Sequence, residues 1–187
     1  MELTQAIFDR RSVREFTDHV VTDEEIRDIL DAARWAPSWG NTQSWEFIVV
    51  RDPRVIADVT GTYSPGNPAT QCSATASALI VACARTGVSG SKGNRDATKF
   101  STWFMFDLGM AVQNLCLRAH ERGLGTVVVG LLDHEACRKI VALPEGHEVV
   151  AVIPLGKPAT GAKKEPARKE LKDIVHRDVF GTPYFTG

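Results

Sequence analysis

Residues 10–16 read Arg-Arg-Ser-Val-Arg-Glu-Phe. Arg10, Arg11 and Arg14 bring three guanidiniums within five residues of each other, with the Ser12 hydroxyl between them. In an extended segment Arg10, Ser12 and Arg14 project to one side. Guanidinium forks beside a hydroxyl suit the oxygens of a phosphate. A solvated strip paired with nearby Asp and Glu is the other reading of the segment.

Two further stretches carry groups with possible chemistry. In APSWGNTQSWEF (36–47) the chain passes from a helix end through Pro and Gly into a strand. Pro37, Ser38, Asn41 and Gln43 line this short loop, and each amide side chain offers a donor and an acceptor. Reading the edge of a heteroaromatic ring, with its alternating C=O and N–H groups, needs such a pair. Amides bonded to their own loop are the plainer alternative. In GLGTVVVGLLD (123–133), Gly125 and Gly130 let backbone approach a ligand closely. Val128, Val129 and Leu131 offer an apolar wall for a planar ring, with the amides of Gly130 or Leu131 at its edge. A plain core strand would look the same.

Several chemistries are excluded or demoted. Lys+Arg is 22 and Asp+Glu is 23, a formal net charge of -1, so the Arg cluster is local and a nucleic-acid surface is not indicated. No phosphate-binding GxxxxGK[ST] loop is present. The glycines of GLGTVVVG precede a strand instead of opening a helix, which rejects a Rossmann fingerprint. Cys116 with His120, and His134 with Cys137, have helical spacings a metal could use, but a buried thiol beside an imidazole explains them as well. Ser12 and Ser38 have no partner His in a recognisable motif. The four cysteines lack framework spacing, the N-terminus MELTQAIFDR has no apolar leader core, and no apolar run reaches membrane-spanning length. A cytoplasmic protein with reduced thiols is expected.

The elements that must position these residues follow from pattern. A short helix is expected over 3–9. Thr22 with Glu25 forms a capping box for a helix that Pro37 ends. WEFIVV (45–50) and SALIVACA (77–84) read as strands, the second buried on both faces. Pro53 opens a helix to about Gly61, and 61–71 is turn-rich. The Gly-, Ser- and charge-rich segment 85–100 reads as a surface loop, which with 61–71 is expected to wall a ligand site. A helix over about 102–122 has a first half, TWFMFDLGMAV, apolar almost all round, as expected for burial on all sides in a core or an interface. Strands are expected over 126–132 and 148–156, with a helix from Asp133 to about Leu143 between them. The tail from 157 is polar and has little core of its own. About four strands separated by helical connections give an α+β or α/β layered fold with a mixed sheet.

In order and spacing, RRSVREF, APSWGNTQSWEF, DLGMAVQNLCLRAHERGLGTVVVGLLD (107–133) and IPLGKPA followed by ARKELKDIVH (167–176) resemble the nitroreductase family of FMN-dependent oxidoreductases. The resemblance covers nearly the whole chain. It implies an α+β, three-layer fold, with a central mixed or antiparallel sheet flanked by helices, in an intertwined homodimer. It implies one FMN-binding domain over 1–187, with segment 157–187 wrapped on the partner. Arg10, Ser12 and Arg14 match positions that bind the FMN phosphate and ribityl chain, and Arg11 lies within that motif. Arg168 matches a further phosphate ligand, with Lys169 beside it. Pro37, Ser38 and Asn41 match a loop that reaches the flavin from the other subunit, and Gln43 belongs to the same motif. Val128, Val129, Gly130 and Leu131 match the strand against the isoalloxazine.

Two positions depart from the family pattern. Ser44 stands where the loop usually has Pro, and Gly130 where some relatives have Glu. The implied activity is NAD(P)H-dependent, ping-pong reduction of nitroaromatics, quinones or related electrophiles. Enone reduction, dehalogenation, flavin fragmentation and non-catalytic flavin binding are the alternatives. Trp103 or Phe104 is expected to border the substrate pocket.

Overall fold

The computed structural model describes residues 1–93, 95–159 and 166–185. The first helix, α1 (Leu3–Asp9), leads into an extended N-terminal strip. Helix α2 (Asp23–Arg34) starts where the sequence says it should. Thr22 Oγ1 accepts the Glu25 N–H at 3.2 Å, and the Thr22 N–H donates to the Glu25 carboxylate at 2.8 Å. Strand β1 (Trp45–Val50) is followed by α3 (Pro53–Gly61), whose first turn is capped by Asp52 and pre-shaped by Pro53. A five-residue helix, α4 (Thr70–Ala74), begins at the end of the turn-rich stretch and runs into residues for which no element was expected. Strand β2 (Ala78–Arg85) leads to a small hairpin, β3 (Ser91–Lys92) and β4 (Arg95–Asp96), inside the expected surface loop. Then come α5 (Trp103–Glu121), β5 (Gly125–Thr126), α6 (His134–Ile140) and β6 (His147–Gly156).

The main sheet has the order β1-β2-β6-β5 and is antiparallel throughout. The one parallel element beside it is the bridge from Ser12 to Thr126. Successive β2 residues point to opposite faces, and both faces are covered. Ala78, Ile80, Ala82 and Ala84 meet α2 and α5, and Leu79, Val81 and Cys83 meet the side of α3, α4 and α6. The result is the expected three-layer α+β architecture. Each large side chain sealed at zero exposure, such as Ile29, Leu79 or Ile153, contributes roughly 1.5–3 kcal/mol of burial.

One expectation is corrected. The strand over 126–132 is only two residues long, with isolated bridges beyond it at Val129–Val152 and Leu132–Tyr63. Continuing the β5–β6 register would set Val127 opposite Pro154, which has no N–H to give the ladder. Helix α5 is not buried on all sides within one chain. Phe104, Leu108, Ala111, Leu115 and Ala119 are buried, whereas Met105 and Phe106 stand 49% and 61% exposed.

Candidate functional site

The N-terminal strip is held against the sheet edge by close backbone packing. The Val13 N–H donates to the Thr126 carbonyl at 2.9 Å, and the Thr17 N–H to the Lys157 carbonyl at 2.8 Å. A Cβ on Gly125 would lie 2.7 Å from Val13, and one on Gly156 2.8 Å from Phe16. Glycine at these positions therefore lets the strip lie flat. Val13 and Phe16 turn inward, while Ser12 and Arg14 are exposed. Among the described residues neither Arg10 nor Arg14 has a carboxylate partner. Arg11 differs from them, because its guanidinium turns back onto the carbonyls of Phe8 and Arg10 at the end of α1.

Arg14 opens into a cavity of about 650 Å³ that it lines with Glu15, Phe16, Pro68, Gln71, Cys72, Thr75 and Ala159. That volume lies within the usual range for small-molecule sites. Burial pushes the Cys72 thiol up, with Arg14 acting in the opposite sense. Cys72 is thus a packed thiol at neutral pH, not a thiolate nucleophile. Gln71, Cys72 and Thr75 were not singled out from sequence. They come together only because α4 stands against the strip.

Past β5, alternation decides what each residue offers. Val127 and Val129 are buried, while Val128, Gly130 and Leu131 are exposed. Val129 N–H and C=O are both bonded to Val152 at 2.9 Å, so Val129 presents neither side chain nor backbone to a ligand. The Leu131 carbonyl is also taken, by the Ser64 N–H at 3.2 Å and the Asn67 side-chain amide at 3.1 Å. The Gly130 N–H has no protein partner among the described residues, and the space above its Cα is open.

The loop with Pro37, Ser38, Asn41 and Gln43 is a tight structure. Gly40, Asn41 and Gln43 all have positive φ, at 50°, 57° and 46°. For Gln this left-handed backbone is uncommon and needs support. Ser38 supplies part of it, its hydroxyl accepting the Gln43 N–H at 3.0 Å. The larger part comes from Asp107 on α5, only 1% exposed. Its carboxyl oxygens accept the Trp39 N–H at 3.2 and 3.1 Å and the Ser89 hydroxyl at 2.5 Å. Trp39 packs on Trp103 at 5.2 Å between ring centroids, and Trp103 meets Phe106 edge-on at 5.5 Å. The Trp103 indole N–H donates to Thr98 at 2.6 Å. A Cβ on Gly90 would fall 2.3 Å from Trp103, so that glycine admits the indole. Phe104 is buried in the core. Ser44, at the position where Pro is usual, is buried with its hydroxyl unpaired.

Within one chain these groups do not all converge. Asp107, which holds the 37–43 loop, and Cys116, which sits by Thr126 and feels the charge of Arg10, are nine positions apart on α5. Nine residues of helix span about 14 Å. Arg168 and Lys169 are exposed, and Arg168 donates to the Pro166 carbonyl at 3.0 Å without touching the Arg10–Arg14 strip.

Residues 7–63 and 71–157 match the sequence profile of the nitroreductase family. The chain belongs to that family. This nitroreductase-family chain is 35% identical over 181 residues to a putative NADH dehydrogenase/NAD(P)H nitroreductase of Archaeoglobus fulgidus, covering 95% of this chain and 91% of that relative. It is 25% identical to an FMN reductase (NADPH) of Bacillus subtilis, over 94% of this chain and 73% of that protein. The crystal structure of a putative NADH dehydrogenase/NAD(P)H nitroreductase of Bacteroides thetaiotaomicron superimposes with a TM-score of 0.77 at 29% identity, covering 94% and 96% of the two chains. No helix among the described residues is long and apolar enough to cross a membrane.

Proposed function

We propose that this nitroreductase-family protein is an FMN-dependent oxidoreductase that reduces nitroaromatic, quinone or related electrophilic acceptors with NAD(P)H. The carrying observation is the pair of guanidiniums of Arg10 and Arg14, without a carboxylate partner among the described residues, flanking Ser12 on a strip where Arg14 lines a cavity of about 650 Å³, together with the separate open Gly130 N–H. An anionic tail fits the first set, and a planar ring with hydrogen-bonding edges fits the second. When bound, FMN supplies the two-electron chemistry that links the nicotinamide donor to the acceptor.

The residues of the chain bind and orient. Arg10, Ser12 and Arg14 hold the phosphate end of the cofactor. Gln71 and the Gly130 N–H meet polar edges, and Val128 gives an apolar surface. A preorganised amide of this kind stabilises negative charge without rearranging. Arg11 is left out of the set because it caps α1, and Val129 because all its groups are engaged. Pro37, Ser38, Asn41 and Gln43 act on the cofactor of a second copy. The roughly 14 Å offset along α5 keeps them from the strip of their own chain, and the exposed Met105 and Phe106 give that copy an apolar face to cover. Arg168 and Lys169 join the phosphate site from the same tail, which lies across the partner. One domain over 1–187 in a cytoplasmic homodimer completes the reading.

The test is an anaerobic reduction. Purified protein should be yellow, bleach on addition of NADH or NADPH, and recover its colour with a nitroarene or quinone. A yellow protein that neither nicotinamide reduces is a flavin carrier. A colourless protein that rejects added FMN ends the proposal.

A further inference from the structure

The hairpin of β3 and β4 pairs Lys92 directly with Arg95. Like charges placed opposite each other across strands are destabilising. Neither residue has a carboxylate partner among the described residues, and both are exposed. The neighbouring cations Arg85 and Lys99 are exposed as well, and Lys99 lies over the Phe100 ring. Residues 85–100 hold four cations, Arg85, Lys92, Arg95 and Lys99, against one anion, Asp96, in a chain whose formal net charge is -1. An excess of positive charge is thus concentrated on one segment.

That structure is tied to the 37–43 loop. Ser89 shares Asp107 with the Trp39 N–H, the Ala97 N–H donates to Gly90 at 2.7 Å, and Thr98 takes the Trp103 indole proton. Trp39, in the loop that bears Asn41, packs on Trp103, and the Trp103 indole N–H donates to Thr98 just past the hairpin. The exposed charges of the segment tied to these rings are four cations against one anion, Asp96, a balance that favours an anionic ligand.

We infer that the β3–β4 hairpin is a selectivity element, with Lys92 and Arg95 recognising an anionic group carried by a planar substrate of the flavin site. The role rests on the assignment of residues 37–43 to that site. The anionic group could belong to the nicotinamide donor, whose phosphates are anionic, or to the acceptor, as a ring carboxylate. Charges lining a site raise encounter rates by tenfold or more, and salt screens the effect.

The test compares matched pairs at low and high ionic strength, using the FMN-loaded protein. NADPH is set against NADH, which lacks one phosphate, and 4-nitrobenzoate against its neutral methyl ester. The wild type is expected to favour the anionic member of at least one pair by about tenfold in kcat/KM, less in high salt. K92E/R95E should abolish or reverse that preference and leave the neutral methyl ester unchanged. K92Q/R95Q, which removes charge without adding repulsion, should give an intermediate ratio, and flavin content reports that either variant has folded. A change in the donor pair assigns the hairpin to the nicotinamide phosphate, and a change in the acceptor pair assigns it to the acceptor. Ratios that stay at the wild-type value in both pairs, or equal losses for charged and neutral members, overturn the inference while the flavin assignment stands. A colourless protein without turnover removes both.

Discussion

Replacing Asp107 by asparagine probes the hinge of the proposed site without changing its shape. The carboxyl group is buried and accepts from two donors on different loops, the Trp39 N–H and the Ser89 hydroxyl. Oδ2 alone reaches both donors, so an asparagine oxygen at that position keeps both bonds but loses the charge, and its NH2 replaces Oδ1 beside the Trp39 N–H. Hydrogen bonds to a charged group are worth about 1.5–3 kcal/mol against about 0.5–1.5 for neutral ones, so the change costs about 1–2 kcal/mol, and alanine, which leaves both donors unmet, costs more. Both donors lie outside the sheet, so the loss falls on loop docking more than on the core. A penalty of 1.4 kcal/mol shifts an equilibrium tenfold. The 37–43 and 85–100 loops of Asp107→Asn should therefore open about ten times more often or more. The assay has three readouts: FMN affinity, the acceptor KM against kcat, and tryptic cleavage in the hairpin at Lys92, Arg95 and Lys99. Faster cleavage and weaker FMN binding are expected, with the denaturation midpoint lowered far less than for a core truncation. Ser89→Ala removes one donor alone, and the double variant measures whether the two loops are coupled through Asp107. Wild-type FMN affinity and cleavage rates in Asp107→Asn would refute the reasoning, because the carboxylate would then hold neither loop in place.

Arg14→Ala should weaken FMN binding by roughly 1.5–3 kcal/mol, the range for a hydrogen bond to a charged group, and leave the denaturation curve nearly unchanged because Arg14 is exposed and has no carboxylate partner among the described residues; equilibrium dialysis and urea titration check the two halves. Gly125→Ala would set a methyl group 2.7 Å from Val13, and overpacking of this kind costs about 1–3 kcal/mol; loss of both flavin content and thermal stability is expected. The Asp28 carboxyl, between α2 and α5, is held well below the usual carboxylate range first by its hydrogen bond from Arg118 and then by that from Arg122. Its folded pKa is depressed, so its contribution is fully present above the unfolded value near 3.9 and is lost as pH falls through the folded one. Asp28→Asn should cost about 1 kcal/mol at pH 7, given the partial exposure of the network, and the gap to wild type should shrink below about pH 4; denaturant melts at several pH values measure it.

What the sequence revealed depended on how local each determinant is. The capping box at Thr22 and Glu25, the Asp52-Pro53 start and the Asp133 cap are each written within four residues, and each helix begins where they place it. The continuous apolar run of β2 likewise needs no distant information to read as a strand covered on both faces. The 126–132 strand failed because the residue that interrupts it, Pro154, is remote in sequence and adjacent only in the sheet. Helix α4 was missed because it is five residues long and carries no apolar repeat. At the site, the alternation of Arg10, Ser12 and Arg14 was legible, but the diversion of Arg11 to the α1 carbonyls was not. Asp107 did leave a trace. It is the single acid in TWFMFDLGMAV, and a lone charge on an apolar helix requires a buried partner.

The apolar run at the start of α5 and the division of the site have one physical origin. A helix exposed at Met105 and Phe106 while buried at Phe104 and Leu108 is apolar on two opposed faces, and one chain covers only one of them. The same helix carries the Asn41 loop at its N-terminal end, through Asp107, and approaches the phosphate strip near Cys116 and His120. Bonds within a rigid helix fix that spacing, so Asp107, under the Asn41 loop, and Cys116, near the strip, stay about 14 Å apart. A second copy packed on the exposed face removes the apolar area from water and can bring its own loop to the first copy's cavity. Docking and completion of the cofactor site are then one event. FMN should accordingly shift the monomer–dimer equilibrium toward the dimer, and dilution should release FMN as the dimer dissociates. Sedimentation of the apoprotein and of the FMN-loaded protein at matched concentrations measures this linkage, and identical association constants would show that each chain holds its cofactor alone.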